Sequence, residues 1–358
     1  MNDSLTNNTH NTFQAWAAST KAGPLERFDF DAGPLGDDEV EIKIEHCGIC
    51  HSDLAMIDSE WFPANYPVVP GHEVVGIITA LGAQASGKGP GRKIGQRVGI
   101  GWHTSSCTHC NFCLGGEQNL CAKRQPTIVG RHGGFADRLR AHWSWAVPIP
   151  EGLDPAAVGP LMCGGGTVFL PFELHAIKPT DRVGVVGIGG LGHIAVKFAR
   201  AWGCEVTAFT SSPSKRDEAL ALGAHRTVSS VDPAELKAAA GSLDFLLITV
   251  GASLEWDALI NTLAPKGRMH LVGVVTEPVK LRSGALLSWQ RGLSASPTPS
   301  PRVLARMLDF AARHGIAPQV ERFPMSRVNE AVEHLRAGKA RYRVVLDADF
   351  QAGVATNP

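Results

Sequence analysis

Apolar residues alternate with charged ones in the first half of the chain and gather into short uninterrupted runs in the second half. Val40, Ile42 and Ile44 alternate with charged neighbours, which is the period of a β-strand with one face in water. Glycine and proline recur throughout residues 21–150 and favour a bent, barrel-like sheet over helices. The first half therefore predicts a β-rich domain.

From about residue 182 onward, apolar runs are separated by stretches of helical periodicity. Strands that alternate with helices of this length form a parallel sheet covered on both faces, so this part predicts a doubly wound α/β domain. The predicted strands are 182–188, 205–210, 226–230, 245–250 and 268–274, and the predicted helices are 191–203, 214–223, 233–241 and 254–265.

A segment rich in proline and serine, 294–302, ends this alternation and predicts a crossing between domains. An amphipathic helix follows, whose apolar face consists of Val303, Leu304, Met307, Leu308 and Ala311. A second helix is predicted at 326–338 and a closing strand at 341–348. We therefore assign 1–155 and 297–358 to the β-rich domain and 156–296 to the α/β domain.

Length and charge narrow the function classes. A chain of 358 residues fits two domains, and its 34 Lys and Arg balance its 34 Asp and Glu, so no overall field attracts nucleic acid or an acidic membrane. The polar N-terminal segment, 1–12, has no apolar core and predicts a disordered extension instead of a signal peptide. The most apolar stretch, 183–196, is broken by glycines and is too short to span a bilayer. Together with many free thiols, this predicts a cytoplasmic protein.

Four cysteines are spaced C-x2-C-x2-C-x7-C within residues 103–123, namely Cys107, Cys110, Cys113 and Cys121. This spacing predicts a structural zinc held by four thiolates. Two disulfides are the alternative, but such close spacings strain disulfide geometry. A closed four-thiolate site does no chemistry, so catalysis requires a different set of residues.

A glycine-rich loop directly follows the predicted strand 182–188 and opens the next helix. Gly187, Gly189 and Gly192 have G-x-G-x-x-G spacing, with Gly190 and Leu191 between them. The first glycine permits the turn, the second lets the backbone approach a pyrophosphate, and the third lets helix and strand pack. The loop therefore predicts a dinucleotide site.

The end of the second predicted strand indicates which dinucleotide binds. Thr210 stands there, where an acidic residue would bind the ribose 2′-hydroxyl of NAD. Ser211, Ser212, Lys215 and Arg216 follow and are suited to a 2′-phosphate, so we favour NADP(H) over NAD(H). The alternative is a Ser-Pro helix start in which the serines only cap free amides.

The segments GICHSDL, GHE, the four-cysteine lobe, GIGGLGH and TSSPSKR together resemble the zinc-dependent medium-chain alcohol dehydrogenases of the cinnamyl alcohol dehydrogenase type, from about residue 13 onward. EVTAFTSSPSKR, FAARHGIAPQVE, FPMSRVNEA and LRAGKARYRVVL resemble the bacterial broad-specificity NADPH-dependent aldehyde reductases within that group. The resemblance implies a GroES-like catalytic domain plus a Rossmann cofactor domain, two Zn²⁺ ions per chain, NADP(H) and a homodimer.

The resemblance also implies roles for individual residues. Cys50, His72 and Cys163 match the ligands of a catalytic zinc, and Glu73 matches the acid that can replace water as its fourth ligand. Asp53 matches the carboxylate that orients the zinc-bound histidine, and Ser52 matches the hydroxyl that starts the proton relay. Four further matches belong to the cofactor site: His51 and Arg343, which contact the pyrophosphate, and Thr167 and Val274.

Several positions depart from the pattern or have two interpretations. Ala55 stands where many relatives end the proton relay with histidine, and Gly166 stands where a β-branched residue is usual beside the nicotinamide. Trp61 and Trp102 are either walls of the substrate pocket or ordinary core aromatics. The two remaining thiols, Cys47 and Cys204, match no ligand and are expected to be inert and buried.

These features predict an enzyme that reduces aldehydes to primary alcohols with NADPH, acting on a small-molecule aldehyde or alcohol and binding neither nucleic acid nor membrane. One alternative is an NAD(P)-dependent alcohol or polyol dehydrogenase that acts mainly in the oxidising direction. The other alternative is a non-catalytic NADPH-binding protein. The complete set of catalytic zinc ligands, Cys50, His72, Cys163 and Glu73, argues against that alternative.

Overall fold

The computed structural model describes residues 11–61, 63–86 and 91–350, so positions 1–10 of the predicted N-terminal extension lie outside the described residues. The chain forms two compact units. The first comprises Met1–Cys163, Ser300–Ala305 and Gln319–Pro358, and the second comprises Gly164–Pro299 and Arg306–Pro318. The divisions fall at Cys163 and Pro299, where the sequence placed them at 155 and 296, and Arg306–Pro318 belongs to the second unit although 297–358 was assigned to the β-rich domain.

The strands are β1 (Thr12–Ala18), β2 (Leu25–Asp31), β3 (Glu39–Ile49), β4 (Glu73–Leu81), β5 (Arg97–Ile100), β6 (His103–Ser105), β7 (Gln125–Pro126), β8 (Arg138–His142), β9 (Val147–Pro148), β10 (Arg182–Val186), β11 (Glu205–Thr210), β12 (Arg226–Ser229), β13 (Leu243–Ile248), β14 (Leu263–Leu271), β15 (Gly292–Ala295), β16 (Val320–Pro324) and β17 (Arg343–Asp347). The helices are α1 (His51–Ile57), α2 (Asn111–Leu114), α3 (Pro155–Pro160), α4 (Gly166–Leu174), α5 (Gly192–Trp202), α6 (Arg216–Ala221), α7 (Pro233–Ala238), α8 (Trp256–Asn261), α9 (Ser283–Leu287), α10 (Pro301–His314) and α11 (Val328–Arg336).

The first unit is built on a seven-stranded mixed sheet in the order β16-β17-β3-β4-β5-β9, with β8 also paired to β3. The predicted alternation in β3 is confirmed, since Val40, Ile42 and Ile44 are buried in the core. The prediction that its other face lies in water is wrong at Glu41. That side chain is buried and forms an ion pair with Arg140 at 2.9 Å, so the charge is neutralised within the protein.

The second unit is a six-stranded, all-parallel sheet in the order β12-β11-β10-β13-β14-β15. This is the doubly wound nucleotide-binding order, in which the chain reverses direction beside β10. The helix predicted over 254–265 is too long, because it ends at Asn261 and Leu263 begins β14 by pairing with Leu243.

One apolar helical stretch, Pro155–Leu174, has a length that could cross a membrane and a mean hydropathy of 1.3. Within its most apolar window, 83% of the stretch is buried inside the protein. Such burial is typical of a core helix of a globular domain. The stretch comprises α3, a π-helical turn at Leu161–Gly165, and α4.

Candidate metal centres and cofactor site

The four-cysteine lobe brings its thiols together in the first unit. The sulfur atoms of Cys107, Cys110, Cys113 and Cys121 all lie within 4.8 Å of one another. Cys107 Sγ and Cys113 Sγ are 3.9 Å apart, close to the roughly 3.8 Å expected of two thiolates on a tetrahedral zinc with bonds of about 2.3 Å. All eight cysteines lie in the described part of the chain and are free thiols, so the disulfide alternative is not supported.

A second group of potential ligands is assembled from three separate parts of the first unit. Cys50 is the N-cap of α1, Glu73 begins β4 with His72 directly before it, and Cys163 lies in the π-helical turn. Antiparallel pairing of β3 with β4 sets Gly48 opposite Glu73, so the end of one strand meets the start of the other. The four ligand atoms lie within 4.8 Å of one another and all four residues are buried.

The Asp53 carboxylate holds this ligand group in place through three hydrogen bonds. One carboxylate oxygen accepts hydrogen bonds from His72 Nδ1 at 2.9 Å and from the Gly71 amide at 2.8 Å. The other oxygen accepts from the Cys50 amide at 2.9 Å, which caps α1. With Nδ1 engaged, His72 directs Nε2 toward the thiols, 3.2 Å from Cys163 Sγ. The donor set thus fits a zinc that keeps one position open for another ligand.

The electrostatics of the site favour binding a cation. A hydrogen bond from Cys163 holds the pKa of the Cys50 thiol well below its usual range, with a further contribution from His72. Cys163 gives that hydrogen bond and is buried, and both effects raise the pKa of its own thiol. Burial raises the pKa of Glu73 to about 7, although the charge of Arg343 opposes the shift. A metal ion bound by these residues would supply the positive charge that the shared protons supply without it.

Arg343 lies beside the ligand group. It is only 4% exposed, donates a hydrogen bond to Glu73, and lies 3.3 Å from the Ile49 carbonyl oxygen. Glu73 Oε2 and Arg343 Nε have no hydrogen-bond partner among the described residues. Gly48 leaves room for Glu73, because a Cβ there would lie 2.1 Å from Glu73 Oε2. The pyrophosphate contact of Arg343 therefore stays a prediction, and the structure shows a carboxylate contact that the sequence did not indicate.

Aromatic side chains lie close to His72. The ring of Trp102 meets His72 edge-on at 4.9 Å, and Trp61 lies 6.4 Å from Trp102. His51 is exposed at the start of α1, with its ring 6.5 Å from Trp61. Both tryptophans are half-buried, which fits pocket walls better than core residues.

The relay residues lie on the same helix. The Ser52 hydroxyl is 3.7 Å from Cys50 Sγ, beside the ligand group. Ala55 is completely buried. Its methyl group can neither donate nor accept a proton. The two thiols without a predicted role, Cys47 and Cys204, are buried as expected, and burial raises the pKa of both.

The glycine loop of the second unit has the geometry that its spacing predicts. Gly187 has φ +90°, and a Cβ there would lie 2.2 Å from the Val250 side chain. A Cβ at Gly192 would lie 1.7 Å from the Gly187 carbonyl oxygen, whereas Gly189 faces open space. The loop is therefore tight at its two ends and accessible in the middle, as close approach of a pyrophosphate requires. Gly190 and Leu191 complete the turn into α5.

Basic and hydroxyl side chains surround the end of β11. Ser212 precedes a 3-10 turn, Pro213–Lys215, but its side chain makes no capping bond and instead contacts the Ser214 hydroxyl at 2.9 Å. Lys215 Nζ donates to the carbonyl of Ile188, within the glycine loop, at 3.0 Å. The structure therefore does not show the capping role that was the alternative for Ser212.

Three more observations in the second unit concern residues of the predicted cofactor site. Thr167 is buried, and its hydroxyl has no partner in the described part of the chain, while Val274 is exposed. Arg216 forms an ion pair at 2.6 Å with Glu235, a residue that sequence reasoning missed. The sequence offered no means of finding Glu235, because it lies on α7, beyond the next strand, as an ordinary helix residue.

Two family models match the chain: "Alcohol dehydrogenase GroES-like domain" over residues 36–151 and "Zinc-binding dehydrogenase" over 190–313. The chain is 52% identical to "Aldehyde reductase AdhA" of Synechocystis sp. (strain ATCC 27184 / PCC 6803 / Kazusa), covering 93% of this chain and 98% of that protein.

Solved structures of similar proteins include a cinnamyl alcohol dehydrogenase, SbCAD4 from Sorghum bicolor, with a TM-score of 0.89 and 40% identity over 94% of this chain and 97% of that one. A second is the CAD from Helicobacter pylori complexed with NADP(H), with a TM-score of 0.85 and 29% identity over 94% of this chain and 98% of that one. Both agree with a GroES-like unit joined to a Rossmann unit.

Proposed function

We propose that this chain, which belongs to the zinc-type medium-chain alcohol dehydrogenases, reduces aldehydes to primary alcohols with NADPH at the Cys50–His72–Cys163 site. Family membership makes it an enzyme that interconverts alcohols and aldehydes, and the relative that is 52% identical is an aldehyde reductase. The observation that carries the proposal is the complete, buried ligand group with Asp53 behind it. A non-catalytic NADPH-binding protein would have no need of such a group.

Each residue of the site has a defined task. Cys50, His72 and Cys163 would hold the zinc, with Glu73 close enough to act as a further ligand. When bound, zinc supplies Lewis-acid polarisation of a carbonyl group, and NADPH supplies a hydride. The hydroxyl of Ser52 lies beside the ligand group and donates the proton that completes the alcohol. Because Ala55 can donate no proton, Ser52 is reprotonated through water or another group.

Steady-state kinetics test the reaction and its direction. We expect NADPH with an aldehyde to give a higher kcat/KM than NADP with the corresponding alcohol at neutral pH. A panel of aliphatic and aromatic aldehydes defines the substrate class, and the half-buried Trp61 and Trp102 favour apolar ones. A higher kcat/KM for NADP with the corresponding alcohols than for NADPH with the aldehydes would instead support the alcohol or polyol dehydrogenase alternative.

The preference for NADPH rests on the residues that follow β11. The strand ends at Thr210, with no acid there to repel a 2′-phosphate, and Lys215 is anchored beside the glycine loop. Ser211 and Ser212 add hydroxyl donors. In the Lys215→Glu variant, the loss of one charge-assisted contact should weaken NADPH binding roughly ten- to a hundredfold, with far less effect on NADH. Lys237→Glu, which reverses an exposed charge on α7, is the matched control. Equal KM values for NADPH and NADH in the unmodified enzyme contradict this assignment.

We also propose a homodimer of cytoplasmic location with two zinc ions per chain. β15 is an edge strand of the parallel sheet, and Leu287, Trp289 and Leu293 are exposed around it. An edge strand flanked by exposed apolar residues is suited to pairing with a second copy. Light scattering after size exclusion should give twice the chain mass, and Leu293→Lys should lower it toward the monomer. A monomeric mass for the unmodified protein contradicts the dimer.

A further inference from the structure

The ends of β11 and β12 form the rim where the adenosine ribose of a dinucleotide is expected. The two strands are parallel, and Thr210 at the end of one is in register with Ser229 at the end of the other. The Ser230 amide donates to the Thr210 carbonyl at 3.1 Å, which holds the two ends together. Charges near this rim act on whatever lies next to the ribose.

The two basic residues of this rim are held in different ways. Lys215 Nζ donates a hydrogen bond to a backbone carbonyl of the glycine loop. Arg216 Nη2 instead lies 2.6 Å from Glu235 Oε1. Both side chains of this ion pair are about one-third exposed, at 34% each. Arg216 and Glu235 thus carry no net charge together.

Glu235 is fixed at a second point. Its other oxygen, Oε2, accepts a hydrogen bond from the Ser229 amide at 2.7 Å, at the end of β12. The hydrogen bond from Arg216, and then that from Ser229, hold the pKa of the Glu235 carboxyl below its usual range. The carboxylate therefore stays ionised at neutral pH, and it ties Arg216 to β12.

We propose that Glu235 is a specificity-determining residue that limits the affinity for NADPH by holding Arg216 and neutralising its charge. This inference rests on the proposed NADP(H) preference. A 2′-phosphate carries a charge of about −1.5 to −2 at neutral pH. Glu235 neutralises Arg216 and adds a repulsive carboxylate near that phosphate. Glu235 therefore sets how strongly the enzyme discriminates between NADPH and NADH.

Binding of adenosine 2′,5′-bisphosphate and of adenosine 5′-monophosphate to the zinc-loaded full chain, measured by calorimetry, tests this inference without turnover. Glu235→Gln keeps an oxygen for the Ser229 amide but removes the charge. We expect it to tighten bisphosphate binding about three- to tenfold at low salt, the scale of one surface charge acting on a phosphate. Monophosphate binding should change less than about twofold, and the gain should shrink in about 0.5 M salt because of screening.

A second variant, Arg216→Met, shows whether the gain comes from the released guanidinium. Alone it should change bisphosphate affinity by less than about twofold, whereas in the Glu235→Gln background it should abolish the gain. Asp217→Asn, which removes the neighbouring exposed charge outside the ion pair, is the matched control and should give no comparable gain.

Two results overturn the inference. If Glu235→Gln weakens bisphosphate binding or leaves it unchanged, then Glu235 positions Arg216 for the phosphate or has no effect on it. If Asp217→Asn gives the same gain, the effect is a general change of charge. A third result concerns the proposed function itself: an unmodified protein that binds the bisphosphate no better than the monophosphate lacks the NADP(H) preference, and the inference falls with it.

Discussion

Replacing Asp53 by asparagine tests how the ligand group is held in place. The Asp53 carboxylate is completely buried and accepts three hydrogen bonds, from His72 Nδ1 and from the amides of Gly71 and Cys50. Asparagine has a single oxygen acceptor, so its NH₂ group must face one of these donors. The substitution keeps the size of the side chain while it removes the charge and one acceptor.

The cost follows from these contacts. One buried donor left without a partner costs about 1–3 kcal/mol, and each of the two remaining bonds loses about 1 kcal/mol when the acceptor is no longer ionised. We therefore expect Asp53→Asn to lower the free energy of unfolding by about 3–5 kcal/mol. Because His72 also loses the carboxylate that orients its ring, the second zinc should bind roughly ten- to a hundredfold more weakly.

Denaturant unfolding and competition with a zinc chelator measure the two effects. Asp58→Asn is the matched control, since it removes the same charge at the C-terminal end of α1, where Asp58 pairs with Arg336 at 2.6 Å. That pair lies near the surface and should contribute at most about 1 kcal/mol, with no effect on zinc. If Asp53→Asn keeps the second zinc as tightly as the unmodified protein, Asp53 does not orient the ligand group and the reasoning fails.

Four further substitutions test stability and proton transfer. Cys110→Ser should chiefly reduce solubility and folding yield, because a closed thiolate site contributes to folding and not to chemistry; near-normal yield with the metal lost would contradict this. Ser52→Ala should slow aldehyde reduction roughly a hundredfold. Ala55→His, in the chain that keeps Ser52, should add a titration to the pH profile of turnover, below about pH 6.5 because position 55 is buried. An unaltered pH profile would mean that the proton follows another path. Burial lowers the pKa of His270 to about 4, with help from nearby positive charge. The unfolded chain therefore takes up a proton first, and the stability present above about pH 6.5 should be lost as pH falls toward 4, with a smaller loss in His270→Asn.

The fold was predictable where local sequence determines it. The glycine loop and the four-cysteine lobe each lie within a short segment, so spacing alone was enough to predict the tight turn at Gly187 and the thiol cluster. The end of α8 was not predictable, because residues 254–265 have helical periodicity throughout. Pairing with Leu243 assigns Leu263 to a strand instead. β15 was missed since its four residues include one large apolar side chain, Leu293.

The site was predictable only in part, because its residues are far apart in the sequence. His72 and Cys163 are 91 residues apart, and family resemblance, not periodicity, associated them. The Glu73–Arg343 contact spans 270 residues and the Arg216–Glu235 pair joins two helices, α6 and α7. Neither pair can be predicted from the local sequence pattern, because each depends on which strands become neighbours. Assignments of His51, Thr167 and Val274 to the cofactor stay predictions.

Metal content and NADPH-dependent aldehyde reduction, measured together on the unmodified protein and on Cys163→Ala, test the central claim most directly. We expect two zinc ions per chain and aldehyde-dependent NADPH oxidation in the unmodified protein. Cys163→Ala should retain one zinc, held by the four-cysteine lobe, and lose the activity. Near-normal turnover by Cys163→Ala after loss of the second zinc would contradict the account.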